Sequence, residues 1–381
     1  MNKIIMLPII FILVSLLISC TPQTPVSPTQ TPSTPAPISI PTSNLSLPTS
    51  QDTAWQKVLE AAKKEGRFLI YSSNFTGDIG IATSNTFKER YGIQMEIITG
   101  RGADFIERLK TERRMGGILA DLSDTNAPNG KLMKEQGLTA RIADELPVLR
   151  EKDVWAIDIL RVDPQDRHLV NFTLSVYTPY VNTNLIKPGE EPKEWKDYLE
   201  PKWKGKLVAV NPTTSAGLLQ QFVPLMREKV IDEDFLKSLY KQDLRFSSTL
   251  EDEAIIVSRG ERSVSISGNT TSFSKYINEG APMRAVEFSH GVMLGAIVVA
   301  FNGSPHPNAA KVFINWLLSA EGQTIWGKAN SVASVRKDVP NFLPQASRVT
   351  PKKFIFSTTE DVDESAKLFR EQWLNKLWGR N

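Results

Sequence analysis

Cysteine occurs once in 381 residues, at Cys20, and histidine three times, at His168, His290 and His306. A single cysteine excludes an intrachain disulfide framework, a cysteine-rich zinc site and an iron–sulfur cluster. Three histidines leave little for a histidine-built metal centre, so a metal would have to use carboxylate or tyrosine oxygens. No resident metal or cofactor is expected. Excess charge is missing too: 45 Lys and Arg against 42 Asp and Glu leave a net charge of +3. That is too near balance for a nucleic-acid footprint. No segment reaches about 18 uninterrupted apolar residues, so no membrane span is expected. What is present is the composition of a soluble globular protein, 41% apolar and 23% charged. The length predicts roughly two domains.

Lys3 precedes an apolar run from Ile4 to Ile18 that is broken only by Pro8 and Ser15. At about 15 residues the run suits a signal-peptide core better than a membrane span. It ends in Leu17-Ile18-Ser19-Cys20, which resembles the lipobox where bacterial lipoproteins are cut before a lipid-modified cysteine. The resemblance implies a signal peptide over 1–19 and a diacylglycerol on Cys20. Two acyl chains give stable anchoring to the lipid bilayer, here on the extracytoplasmic face of a bacterial membrane. Residues 20–52 then read as a tether. Thr21 to Gln51 carries no charge, and Pro22, Pro25, Pro28, Pro32, Pro35, Pro37, Pro41 and Pro48 stand among Ser and Thr. Such a segment cannot bury enough apolar surface to fold; in polyproline II it spans at most about 100 Å at ~3.1 Å per residue.

The body begins near Asp52. Trp55, Val58, Leu59 and Ala62 follow helical spacing up to Gly66, and Phe68 to Tyr71 reads as a buried strand. A helix over Ile79 to Tyr91, a strand over Ile93 to Ile98, a helix through Phe105, Ile106 and Leu109, and a short strand near Leu119 to Leu122 follow. This alternation predicts an α/β fold with mostly parallel sheets. Ligands on such sheets sit at the carboxyl ends of strands. Those ends place Ser72, Ser73 and Asn74, then Thr99 to Gly102 with Arg101 among them, then Ser123, Asp124, Thr125 and Asn126 at a crevice. Helix N-termini opening there favour negative charge. The same residues also serve as ordinary caps and turn formers.

Two longer stretches carry more. One runs from Tyr180-Val-Asn-Thr-Asn to Glu194-Trp195-Lys-Asp-Tyr-Leu-Glu-Pro201-Lys-Trp203-Lys-Gly205 and Pro212. The other is Ser304-Pro-His306-Pro-Asn-Ala-Ala310 through Trp316 to Gln323, with a weaker match at Ser334 to Pro340. Locally, the first reads as a short helix and turn feeding a strand over Lys206 to Val210. In the second, Ala309, Val312, Phe313, Trp316 and Leu317 form an apolar core stripe capped by Asn308. Together they resemble the extracellular solute-binding proteins of ABC importers, in particular the ferric-iron-binding periplasmic branch. The resemblance implies a two-lobed, type II periplasmic-binding-protein-like fold. Lobe one would hold 53–170 and 295–381, lobe two 178–290, with hinge segments over 171–181 and 291–301. It also implies a monomer that closes on a small molecule and presents it to a membrane permease, without catalysis.

In the iron-binding relatives, adjacent tyrosines of lobe two supply phenolates to ferric ion. The matching stretch here, Ile266 to Phe273, has no tyrosine pair, and Tyr276 stands alone. The residue types favour a small anionic solute instead: a phosphonate, a phosphorylated compound or a carboxylate. Ferric iron or an iron chelate is the alternative. Candidate contacts are Thr213, Thr214 and Ser215 where a strand meets a helix, Asn269, Thr270 and Thr271, the bidentate donor Arg101, and Tyr177 near a crossover. His290 reads as a turn residue or a cleft ligand, His168 and His306 as loop residues, and Glu251, Asp252 and Glu253 as a solvated helix face. No nucleophile-elbow, P-loop or zinc-protease motif is present. A surface sensor or an unrecognised cleft hydrolase would be the readings from other classes.

Overall fold

Helix α1 (Ser50–Glu65) ends at Gly66, which takes the left-handed φ of 69° that suits a helix stop. The apolar run after it becomes β1 (Arg67–Ser72), followed by α2 (Gly77–Tyr91), β2 (Gln94–Thr99), α3 (Gly102–Arg114), β3 (Leu122–Thr125) and α4 (Ala127–Glu135). This computed structural model describes residues 50–212, 217–358 and 361. Cys20, the tether up to Thr49, Thr213, Thr214 and Ser215 lie outside the described residues. So does nearly all of the C-terminal stretch after Thr358. No helix among the described residues is long and apolar enough to cross a membrane.

β1 lies between β2 and β3, parallel to both. Its residues alternate between two cores. Phe68 and Ile70 join Phe87, Phe313 and Trp316 on one face; Leu69 and Tyr71 meet Phe105, Ile106 and Leu109 on the other. A strand covered on both faces must read as continuously apolar. β3 starts three residues later than its sequence suggests, because Asp121 is spent at its entry: its buried carboxylate accepts from Leu69 N, Ser304 Oγ and the His306 backbone. Ser123, Asp124 and Thr125 are therefore buried strand residues, and the strand gives way at Asn126.

The chain next forms β4 (Val170–Asn171), β5 (Ser175–Tyr177), β6 (Tyr180–Asn182), β7 (Leu207–Val210), α5 (Gly217–Arg227) and α6 (Glu233–Tyr240). β8 (Arg245–Ser247), α7 (Leu250–Ser258), β9 (Val264–Ser265), α8 (Thr270–Asn278) and β10 (Met283–Ala285) follow. The last elements are β11 (His290–Leu294), β12 (Ile297–Ala300), α9 (Pro307–Leu317), α10 (Ala320–Asn330) and β13 (Lys353–Phe356). They build two five-stranded sheets, ordered β2-β1-β3-β12-β4 and β10-β6-β9-β7-β8, and a three-stranded sheet β13-β11-β5. The first sheet with its helices is lobe one and the second is lobe two. The third sheet is the crossover.

In each large sheet four strands run one way and one runs against them: β12 in lobe one, β6 in lobe two. Each reversed strand is the first one made after a crossover strand, β11 or β5. The two crossover strands pair antiparallel, Leu294 opposite Ser175 and Val292 opposite Tyr177. Gly295 sits where they separate; a Cβ there would collide with the Thr173 carbonyl.

The stretch after α10 departs from its expected place in lobe one. A 3₁₀ turn at Gln345–Ser347 packs on α8 and β10, Val349 joins a lobe-two core, and β13 covers the free edge of β11. The chain therefore passes between the lobes a third time. Two other expectations change. Helix α9 begins at Pro307 after His306, and its Asn308 and Ala309 amides are met by the Glu65 carboxylate of α1 rather than by an Asn308 cap. Glu253 is fully buried, bound by Ser265 Oγ and Ser267 Oγ at 2.5 Å each, rather than solvated.

Candidate functional site

A cavity of about 470 Å³ lies at the carboxyl ends of β1 and β3, against the crossover. Lobe one contributes Ser73 and Asn74 from the loop after β1, and Arg101, Gly102 and Ala103 from the start of α3. Thr125, Asn126 and Asn129 come from the end of β3 and the start of α4. The crossover gives Thr173, Ser175, Tyr177 and the backbone-rich wall Leu294 to Ala296, while lobe two gives Gln220 and Thr271. Trp326, Asn330 and Val332, at and just after the end of α10, close the remaining side.

The first turns of α3 and α8 reach this space through Gly102, Ala103 and Thr271, and the N-cap of α4 through Asn126. Converging N-termini put partial positive charge on the cavity wall. Asn126 Oδ1 accepts from Asn129 N at 3.0 Å, so its amide nitrogen is the end left to donate. Asn129 Nδ2 donates to Thr125 Oγ1 at 3.2 Å, and Thr271 Oγ1 to Ser175 Oγ at 3.0 Å. Arg101 is the one charged side chain in the lining among the described residues. Its Nε and Nη2 each lie 2.9 Å from the Asp104 carboxylate, which holds Asp104 below the usual carboxylate range. An anion reaching Arg101 therefore competes with Asp104.

Of the residues singled out in the sequence, Ser73, Asn74, Arg101, Gly102, Thr125, Tyr177 and Thr271 are brought to this one space. Ser72, Asn269 and Thr270 stand behind it and spend their side chains on the backbone. Ser72 Oγ accepts from Phe75 N at 2.7 Å, Asn269 Oδ1 caps α8 through Ser272 N at 2.8 Å, and Thr270 Oγ1 accepts from Val176 N at 3.1 Å. Tyr177 is both core and lining: burial pushes its hydroxyl up to about 12, with Asn269 partly offsetting the rise. His290 opens β11 beside Ser289, His168 pairs with Thr139, and His306 binds Asp121, all away from the cavity.

Sequence reading placed Asn126 at a strand end without making it a candidate contact, and passed over Asn129, Thr173, Ser175, Gln220, Trp326 and Asn330. Asn126 and Asn129 carried a usable signal, as polar residues at the start of a helix after a strand. The others come from distant segments whose local patterns say only strand or helix. Among the described residues, no group of three or more His, Cys, Asp or Glu is arranged to hold a metal ion.

Residues 82–350 match the model of the bacterial extracellular solute-binding protein family. An uncharacterized protein of Haemophilus influenzae is 25% identical over 348 residues, covering 88% of this chain and 97% of its own. Iron-bound HitA from Pseudomonas aeruginosa superposes with a TM-score of 0.63 at 20% identity, over 80% of this chain and 98% of that one. AfuA from Actinobacillus pleuropneumoniae, a periplasmic binding protein with fructose-6-phosphate bound, gives 0.60 at 19% identity, over 82% and 98%. The shared fold is the type II periplasmic-binding-protein architecture. With its family match spanning most of the body, this chain belongs to the bacterial extracellular solute-binding proteins, the solute-capturing components of ABC importers.

Proposed function

We propose that the protein captures a small anionic solute, such as a phosphonate, a phosphorylated compound or a carboxylate, and releases it unaltered to a membrane permease. The observation that carries this is the lining itself. Hydroxyl and amide side chains, three helix N-termini and one arginine face the cavity, and among the described residues no lining side chain is a carboxylate. Such donors match an oxyanion. Tyr177 is the one phenol in the lining among the described residues, whereas a bare trivalent cation needs several anionic oxygens. A ferric ion carried inside an organic chelator is the second reading. Its support is the fold shared with iron-bound HitA, and its chelator would meet the same donors. Fold likeness alone does not fix the cargo.

Isothermal titration against inorganic phosphate, a sugar phosphate, a phosphonate, a carboxylic acid and ferric citrate tests the choice. Heat with an oxyanion and unchanged ligand afterwards support it. Heat with free ferric ion alone overturns it.

Capture at the membrane follows from the N-terminal segment. The Leu17 to Cys20 site and the uncharged proline-rich stretch support a lipid anchor on Cys20 and a tether, with the body monomeric on the extracytoplasmic face. Cys20→Ser is expected to move the protein from the membrane fraction to the soluble fraction and to abolish lipid labelling. A variant that stays membrane-bound removes the anchor.

A further inference from the structure

Asp124 has no exposed surface, sits at the end of β3, and touches the cavity only through a neighbour. Its Oδ2 accepts from Asn74 N at 2.9 Å and from Asn74 Nδ2. The second hydrogen of that amide goes to Ser73 Oγ, 3.3 Å away. A carboxylate only accepts, so the nitrogen end of the Asn74 amide must face Asp124. Both N–H groups are then committed, and Asn74 Oδ1 is the end left for the cavity that Asn74 lines. Ser73 tightens the same corner, donating to the Asp124 backbone carbonyl at 3.2 Å.

We propose that Asp124 is a positioning residue of the solute site: it fixes Asn74 with its carbonyl oxygen toward the solute, making this corner an acceptor within an otherwise donor-rich lining. The inference rests on the anionic-solute reading and deepens it. A solute that fits both features pairs its anionic group with the helix N-termini and Arg101, and presents a hydroxyl or amine hydrogen to Asn74 Oδ1. A bare oxyanion satisfies only the first.

The hold on Asn74 depends on the charge of Asp124. The strands beside it face it with Ser72 from β1 and Val298 from β12, and no charged side chain among the described residues is hydrogen-bonded or ion-paired to it. Its Oδ1 has no hydrogen-bond partner among the described residues and is the atom that would take a proton. Burial raises its pKa to about 6, against the hydrogen bonds from Ser72, Asn74 and Ser73. Protonation turns a charged acceptor into a neutral one and loosens the amide.

The test compares glycerol 3-phosphate with inorganic phosphate on the full chain. The ratio of their dissociation constants cancels most of the phosphate ionisation common to both. In the wild type the hydroxylated probe is expected to be favoured. Asp124→Asn, which can offer its own N–H to Asn74, is expected to cut that preference roughly tenfold, about the worth of one hydrogen bond. Asn74→Ala, in a partly exposed loop, should do the same. The wild-type preference should also weaken on acidification through about pH 6, an inflection that Asp124→Asn lacks. An equal ratio in all three proteins overturns the proposal. If neither phosphate binds, the anionic-solute reading fails, and the Asn74 side-chain amide signal in NMR decides the role of Asp124. A signal protected from exchange and shifted by Asp124→Asn supports it; one insensitive to Asp124→Asn overturns it.

Discussion

The Glu253 and Asp124 carboxylates are sealed from water, and burial is the main cause of their raised proton affinity. Glu253 rises to about 7 and Asp124 to about 6, with serine hydroxyls and backbone amides pulling both back. The unfolded chain holds these protons less tightly. The folded state therefore binds more protons between about pH 4 and about pH 7, and stability falls as pH rises through that window. The stabilisation is fully present below the unfolded pKa values and lost above the folded ones. For each group it amounts to on the order of 3 kcal/mol. Glu253→Gln is expected to flatten the change in urea midpoint between about pH 5 and about pH 8; an unchanged slope counts against a buried charge there. Arg101 behaves differently, being 84% exposed and paired with Asp104. Asp104→Asn is expected to tighten phosphate binding several-fold by freeing the guanidinium, and Arg101→Ala to weaken it roughly tenfold. Titration in which neither variant differs from the wild type would take Arg101 out of the site. The place of Arg101 in the cavity lining was legible in the sequence because it follows a strand and opens a helix. Glu253 was misread for a local reason too: it stands beside Glu251 and Asp252 in a helix turn, and only the serines of β9 and the loop after it show which way it faces.

At the scale of elements, the helices and strands of the first third followed their hydrophobic periods closely. The stripe Ala309, Val312, Phe313, Trp316 and Leu317 is buried as its spacing indicated. The cap was not legible. Glu65 Oε2 accepts from Ala309 N at 2.7 Å and Oε1 from Asn308 Nδ2 at 2.7 Å, so a residue more than two hundred positions away closes the helix. Negative charge at a helix N-terminus is favourable as well as hydrogen-bonded. Glu65→Ala is expected to cost about 1–2 kcal/mol in urea denaturation, with faster amide exchange in the first turn of α9. A loss under about 0.5 kcal/mol, the range of ordinary surface changes, would show that water replaces the carboxylate there. The reversed strands β6 and β12 were equally hidden. Each is short and buried on both faces, so its residues read the same in either direction.

Across the whole molecule, the lobes are joined by more than the two paired crossover strands. The segment ending in β13 adds a third passage, and Asn278 Nδ2 of α8 donates to Ser331 Oγ beyond α10 at 2.6 Å. Ser331 holds a left-handed φ of 55°, unusual for a residue other than glycine, and it follows the cavity-lining Asn330. This contact beside the cavity is expected to favour a closed arrangement, since a solute shifts such a balance only through contacts that differ between the two states. Asn278→Ala is expected to speed solute release several-fold, followed by tryptophan fluorescence after mixing with competitor. An unchanged release rate would mean that the crossover alone sets closure.

The sequence by itself determined the order and type of most elements, the two-lobed α/β class and the strand ends that line the cavity. Those follow from periodicity, turn chemistry and family-length motifs, all of which act over a few neighbouring residues. Tertiary structure alone decided which polar residues face the cavity and which stand behind it. Asn74 and Asn269 are the same residue type after similar strands, yet one lines the cavity and the other caps a helix. That choice depends on what packs beneath each side chain, Asp124 in one case and the first turn of α8 in the other, and such partners come from parts of the chain that no local pattern connects.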